Sequence, residues 1–252
     1  MTKIWLNHWF STAYHIIRLI KEGEKDFFII GSNERSDAVY KEMCDEFCTE
    51  PVLPPDEYAA FCLDFCTEHG IDVFLPRRGM QGIAKHIDEF TAAGVKVMAD
   101  PYDKLKMLNS KTEAYAFFKE NGIASVPDHF LVNNVDEFKN AYLELSEKYE
   151  MVCFKKVSDE GGMSFRMIDN SYKGSRALFC PSRTRITYAD AVAALSERAT
   201  IPALIVMPYL SGREVSVDAL ATPSGNILLP RVKTPTRTEL ISFDPYILSV
   251  CE

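Results

Sequence analysis

The chain has 252 residues, 28 lysines and arginines against 36 aspartates and glutamates, a formal charge of -8 and an isoelectric point near 5.3. With 47% hydrophobic and 25% charged residues it is long and apolar enough for one large or two to three smaller domains, which excludes a disordered or fibrous design. The acidic balance excludes nonspecific binding to nucleic acid or anionic membranes, and no long apolar run or secretory segment appears, so small molecules or proteins are the expected partners of a soluble, cytoplasmic protein.

The first hundred residues alternate strand and helix. Lys3 to Leu6 reads as a strand, Ala13 to Lys21 as a helix with Ile16, Ile17, Leu19 and Ile20 on its apolar side, and Asp26 to Ile30 as a strand ending at Gly31. The spacing then predicts a helix over Asp37 to Phe47, a break over Pro51 to Pro55, and a second helix carrying Tyr58, Phe61, Cys62, Phe65 and Cys66 that stops at Gly70. Asp72 to Leu75 is a third strand, Gln81 to Ala93 a helix ended by Gly94, and Val95 to Met98 a fourth strand. Such alternation predicts an α/β parallel sheet with helices on both faces, whose ligands meet the carboxyl ends of the strands. Arg77 and Arg78 lie in the loop after the third strand and suit a carboxylate or phosphate clamp, although a solvated surface pair reads equally well. No G-x-G-x-x-G follows the first strand, which disfavours a dinucleotide-dependent oxidoreductase.

Seven cysteines suit a reducing compartment. Cys44 with Cys48 and Cys62 with Cys66 have helical spacing, which places each pair on one helix face where four thiolates could in principle hold zinc. Phe47, Phe61 and Phe65 fill the same faces, so all four are expected to be small buried apolar residues.

Asp100 to Gly122 reads as two helical pieces with Leu105, Leu108, Tyr115 and Phe118 facing the core. Phe130 to Val132 is a strand and Asn134 to Tyr149 a helix. The stretch Phe154 to Phe165, F-K-K-V-S-D-E-G-G-M-S-F, then places lysines on a strand beside a turn with paired glycines. Glycine backbone can approach oxygen anions with no Cβ in the way, and lysine adds a compact positive charge. Asn170 to Ile186 is polar and basic, as in a loop or lid, and Tyr188 to Arg198 is a short helix. Ala203 to Met207 is an apolar strand. From Glu214 the chain alternates strictly, so that Glu214, Ser216 and Asp218 share one face, and in Ile227 to Lys233 the side chains of Arg231 and Lys233 also share a face. A helix begins at Asp244.

In that order D-K-L-K-M-L-N-S-K, N-G-I-A-S-V-P, C-F-K-K-V-S-D-E-G-G and I-V-M-P-Y-L-S-G-R-E-V-S-V-D-A-L resemble the ATP-grasp superfamily, in the branch similar to the carbamoyl-phosphate synthetase large subunit. The resemblance implies a Rossmann-like pre-ATP-grasp substrate domain over residues 1–100, linker helices and the start of the ATP-grasp region over 101–133, a small lobe over 134–210, and the start of a large lobe over 211–252. ATP would lie between the two α+β lobes. Lys111 and Lys155 would reach its phosphates, with Lys156 where the family usually has proline, and Gly161 and Gly162 would belong to the loop that closes over them. Met207, Pro208, Tyr209 and Leu210 would form the adenine hinge, working through the Pro208 carbonyl and the Leu210 N–H, and Glu214 would accept the ribose hydroxyls.

The implied reaction is attack of a carboxylate on the γ-phosphate and capture of the acyl phosphate by an amine or thiol, with Mg2+ bridging the phosphates. Arg77, Arg78, Arg231 and Lys233 are the candidates for holding the acid and stabilising developing charge, with a surface-strand role equally open for Arg231 and Lys233. Members of the family continue into a strand pair with a glutamate and an E-I-N-x-R motif that bind the metal. Nothing of that kind follows Asp244, so the metal ligands are expected beyond residue 252 or the chain is a noncatalytic nucleotide-binding module. A homodimer built by the N-terminal helices is a further expectation.

Overall fold

The computed structural model describes residues 1–7, 12–23, 25–123, 125–158, 162–234 and 238–251, and divides into two units, Met1–Leu108 and Asn109–Glu252. In the first unit β1 (Thr2–Asn7), α1 (Ala13–Lys21) and β2 (Phe27–Asn33) are followed by a 3-10 turn (Lys41–Met43), β3 (Glu46–Thr49), α2 (Pro55–His69), β4 (Val73–Pro76), α3 (Met80–Lys85), α4 (Ile87–Ala92), β5 (Lys96–Val97) and α5 (Tyr102–Asn109). The five strands form one parallel sheet in the order β3-β2-β1-β4-β5.

Strand periodicity gives this sheet two apolar faces. Ile4, Leu6 and Ile29 pack with Ala13 and Ile17 of α1 and with Tyr40. Trp5, Ile30 and Phe74 pack on the other face with Tyr58, Cys62 and Phe65 of α2, Ile83 of α3 and Phe90 of α4. Trp5 is fully buried between Phe65 and Phe74, with ring centroids 4.3 and 4.1 Å away. Truncating a buried aromatic of this kind costs about 3–5 kcal/mol.

Three local expectations are corrected. Residues 37–47 do not form a helix. Asp45 exchanges backbone with Ile29, donating to its carbonyl at 2.9 Å and accepting its N–H on Oδ2 at 2.8 Å, and so draws the segment onto the open edge of β2. Cys44 and Cys48 therefore share no helix face and are half-buried, whereas Cys62 and Cys66 are buried in α2 as expected. The helix over residues 81–93 is divided at His86, whose φ of -109° leaves the helical range, and Leu108 is exposed rather than facing the core.

The second unit contains α6 (Lys111–Glu120), β6 (Phe130–Val132), α7 (Val135–Lys148), β7 (Val152–Lys156), β8 (Arg166–Ile168), α8 (Ser175–Phe179), β9 (Arg185–Ile186), α9 (Tyr188–Ser196) and β10 (Leu204–Pro208). Its mixed sheet runs β6-β10-β7-β8-β9. Val132, Val152, Phe154, Leu204 and Val206 point to one face and pack on Phe138, Ala141 and Leu145 of α7 and Ala191 of α9. The chain then forms an antiparallel sheet of β11 (Val215–Thr222), β12 (Gly225–Lys233) and β13 (Glu239–Ile241), followed by α10 (Pro245–Cys251). Among the described residues no helix is long and apolar enough to cross a membrane.

Candidate nucleotide site

With Phe154 committed to the α7 face, the period of two turns Cys153 and Lys155 to the opposite side of β7. The antiparallel register sets Cys153 against Met207 and Lys155 against Ile205 on β10. That side opens into a cavity of about 690 Å³ lined by Lys155, Gly162, Met207 through Leu210, Glu214 and Lys233, together with Cys153, Phe165, Gly212 and Arg213. Its size lies within the usual range for small-molecule pockets, roughly 300–1,000 Å³.

One wall is the end of β10. Pro208 has no N–H, so its ladder stops there, and the Tyr209 N–H donates to the Met151 carbonyl at 2.8 Å and fixes the turn. Among the described residues the next N–H, that of Leu210, meets no acceptor, while the Leu210 side chain is exposed. Burial drives the Cys153 thiol up to about 11 despite the opposing pull of Lys155, so it is a neutral wall residue and no nucleophile.

The opposite wall is the start of the three-stranded sheet. Lys233 Nζ donates to Glu214 Oε1 at 2.5 Å, and their backbones pair through the Lys233 N–H and the Glu214 carbonyl at 3.0 Å. Lys155, Lys233 and Arg213 bring three cationic side chains to the cavity; Lys233 is paired with Glu214 and Arg213 with Asp244 at 3.2 Å, which leaves a net positive charge that favours an anion. Gly162, at a φ of 66°, takes the left-handed conformation that side chains resist.

The remaining candidates fall elsewhere. Lys111 Nζ reaches the Val157 carbonyl at 3.2 Å, just past the end of β7, and does not line the cavity. Arg231 sits two residues before Lys233 and is held by Asp218 at 2.9 Å and by Glu239, with its Nε buried and, among the described residues, without a partner. Gly161, with Asp159 and Glu160, lies outside the described residues.

Arg77 and Arg78 belong to the first unit, at the carboxyl ends of its strands. Asn7 Oδ1 accepts the Arg77 N–H at 2.7 Å, and Glu50, nearly inaccessible, accepts from Ser32 Oγ at 2.5 Å, from the Tyr58 hydroxyl at 2.6 Å and from Arg78 Nη1 at 3.2 Å. Arg78 also pairs with Glu34 and lies over the Tyr58 ring at 4.6 Å, so its charge is already matched, while the Arg77 side chain is exposed.

Sequence inspection passed over Cys153, Phe165, Gly212 and Arg213 as lining residues. Cys153 was signalled by its place two residues before Lys155 on a strand, and Gly212 and Arg213 by their place between the hinge and Glu214.

No family model matches this sequence, and neither does any curated protein. The folded chain is similar to the biotin carboxylase domain of Hydrogenobacter thermophilus 2-oxoglutarate carboxylase, solved with MgADP, ADP and bicarbonate, at a TM-score of 0.62 and 18% identity over 92% of this chain and 50% of that one. It is similar to N5-carboxyaminoimidazole synthetase from Staphylococcus aureus complexed with ADP (TM-score 0.65, 10% identity, 99% and 60% covered). A purK N5-carboxyaminoimidazole ribonucleotide synthetase, also an ADP complex, matches at a TM-score of 0.64 and 14% identity, covering 94% and 56%. The chain thus spans between 50% and 60% of the length of these solved chains. At such identities the likeness is one of fold.

Proposed function

We propose that this chain binds ATP and belongs to an ATP-dependent carboxylate–amine (or thiol) ligase that works through an acyl phosphate. The observation that carries this reading is the single cavity that gathers Lys155, Gly162, the 207–210 turn, Glu214 and Lys233. Lys155 lies opposite Ile205, three strand positions from Pro208, or about 10 Å along β10, comparable to the separation of base and phosphates in a nucleotide. In this arrangement the Pro208 carbonyl and the Leu210 N–H face the adenine edge, Glu214 accepts from the ribose, and Lys155 supplies charge-assisted bonds to the phosphates, a role Lys111 shares only if it leaves the Val157 carbonyl. Gly162 lines the same cavity, where a glycine backbone can approach phosphate oxygens.

The acid's carboxylate oxygen attacks the γ-phosphorus, the bond to the β-γ bridging oxygen breaks, and ADP departs with that electron pair. An amine or thiol then attacks the acyl carbon and inorganic phosphate leaves. Lys233, freed from Glu214 once the ribose occupies it, is placed to stabilise the charge that develops, and Arg231 supports it from the same strand face. Within the first unit, Arg77 is the side chain assigned to a carboxylate, and Arg78, matched by Glu50 and Glu34, holds the loop that carries it. Bicarbonate in one neighbour makes a small carboxylic acid the natural substrate class. The order of motifs favours the carbamoyl-phosphate synthetase branch within the fold.

Magnesium, when bound, would supply neutralisation of the phosphates' charge. Glu214, the one carboxylate lining the cavity, is paired with Lys233, so the described residues do not make a magnesium ligand set. The alternative reading is a nucleotide-binding module without turnover of its own.

Thermal unfolding with ATP, with and without Mg2+, beside Lys155→Ala distinguishes them. ATP at a hundred times its dissociation constant should add about 2.7 kcal/mol, and the variant should lose that gain while keeping its stability without ligand. An equal gain in Lys155→Ala would remove Lys155 from the site, and no gain in either protein would remove the nucleotide. Release of ADP with a small acid and an amine separates ligase from binding module.

A further inference from the structure

A cluster in the first unit, with no part in the nucleotide cavity, has donor chemistry unlike any phosphate site. β3 lies at the edge of the parallel sheet, and its period of two sets Glu46 and Cys48 on one side. α2 ends beside them at His69. Gly70 caps that helix in the left-handed conformation, φ 61°, and the Ile71 N–H returns to the Cys66 carbonyl at 2.9 Å. The His69 imidazole is stacked on Phe65 at 4.1 Å, and Lys3 Nζ holds the His69 carbonyl at 2.8 Å, so both the ring and its backbone are fixed.

We propose that Glu46, Cys48 and His69 form a binding site for a divalent transition-metal ion of the zinc class. One carboxylate oxygen, the Cys48 sulfur and a His69 ring nitrogen all lie within 4.8 Å of one another, with His69 Nδ1 at 3.6 Å and Cys48 Sγ at 3.7 Å from Glu46 Oε1. Zinc bonds of about 2.0 Å to nitrogen and oxygen and 2.3 Å to sulfur make the edges of a tetrahedron roughly 3.3–3.6 Å long, so small side-chain rotations close these three donors around one ion. Sulfur and imidazole select zinc, cobalt or copper over magnesium and calcium. Three protein donors leave a fourth position for water or an outside ligand, and the edge position of β3 leaves it reachable.

Binding replaces the Cys48 proton, which passes to solvent, with the metal–sulfur bond, and requires the His69 nitrogen to be unprotonated. The α2 pair, Cys62 and Cys66, is buried in the core and takes no part.

Cobalt(II) titration of the full chain tests this, in a Cys180→Ser, Cys251→Ser background that removes the two exposed thiols. One equivalent should bind with thiolate-to-metal absorption in the near ultraviolet, and zinc but not excess magnesium should displace it. Cys48→Ser should abolish the absorption, and His69→Gln and Glu46→Gln should each weaken binding by at least about tenfold. Unchanged absorption in Cys48→Ser, unchanged affinity in His69→Gln, or no cobalt binding in the background chain would each overturn the site. Far-ultraviolet circular dichroism checks each variant, and if Cys48→Ser does not fold, the His69 and Glu46 variants decide. ATP binding should be unaffected throughout, so this result stands apart from the nucleotide test.

Discussion

The mixed sheet and the three-stranded sheet of the second unit supply opposite walls of one cavity and are built differently. All five residues of β10 are buried, and Phe138 and Leu145 of α7 lie fully buried beneath the sheet. In the three-stranded sheet no residue of β11 is fully buried, and Leu220, Ile227, Leu240 and Ile241 stand more than half exposed. Cross-strand ion pairs take the place of a core there: Glu214 with Lys233, and Arg231 with Asp218 and Glu239. The half of the site that holds Lys155 and the hinge is therefore fixed by packing. The half that holds Glu214 and Lys233 is fixed by exposed charges, whose pairs are each worth only about 0–1 kcal/mol. A ligand can reorganise the second half at little cost, whereas the first must be in place beforehand.

Phe138→Ala should break this contrast most severely. Its ring meets Phe154 edge-on at 5.1 Å, directly behind Lys155, and removal should cost about 3–5 kcal/mol in denaturant unfolding and weaken nucleotide binding with it. A loss below about 1 kcal/mol would mean that packing does not set this half of the site.

Lys233→Ala should lower stability by no more than about 1 kcal/mol, because the Glu214 pair is exposed, yet reduce turnover or nucleotide affinity if its charge serves the ligand. A large stability loss with unchanged binding would reverse the roles given to the two sheets.

The smallest effect concerns pH. Hydrogen bonds from Ser171, followed by the ion pair with Arg185 at 2.5 Å, hold the Asp169 carboxyl below its ordinary range and tie β8 to β9. A depressed carboxyl stabilises the fold fully above its unfolded pKa of about 3.9, and that contribution is lost as pH falls through the folded value. Asp169→Asn should flatten the acid limb of the stability curve, and an unchanged limb would remove this pair from the mixed sheet's stability.

The parallel sheet and the hinge strand were legible in the sequence because each follows from a local period of two or 3.6 residues. The faces shared by Glu214 with Asp218 and by Arg231 with Lys233 were each legible for the same reason, and the register of β11 on β12 makes them one face. Segment 37–47 was not. Its helical spacing competes with the unpaired backbone edge of β2, and only the assembled sheet offers Asp45 the Ile29 groups that decide the outcome. Nor does spacing reveal that Arg78 is matched by Glu50, 28 positions away, or that His69 closes on Glu46 and Cys48. Strand and helix periods assign faces within an element. Which faces meet depends on the order in which strands join a sheet, and here tertiary packing alone brought an arginine to its carboxylate and three metal-type donors to one another.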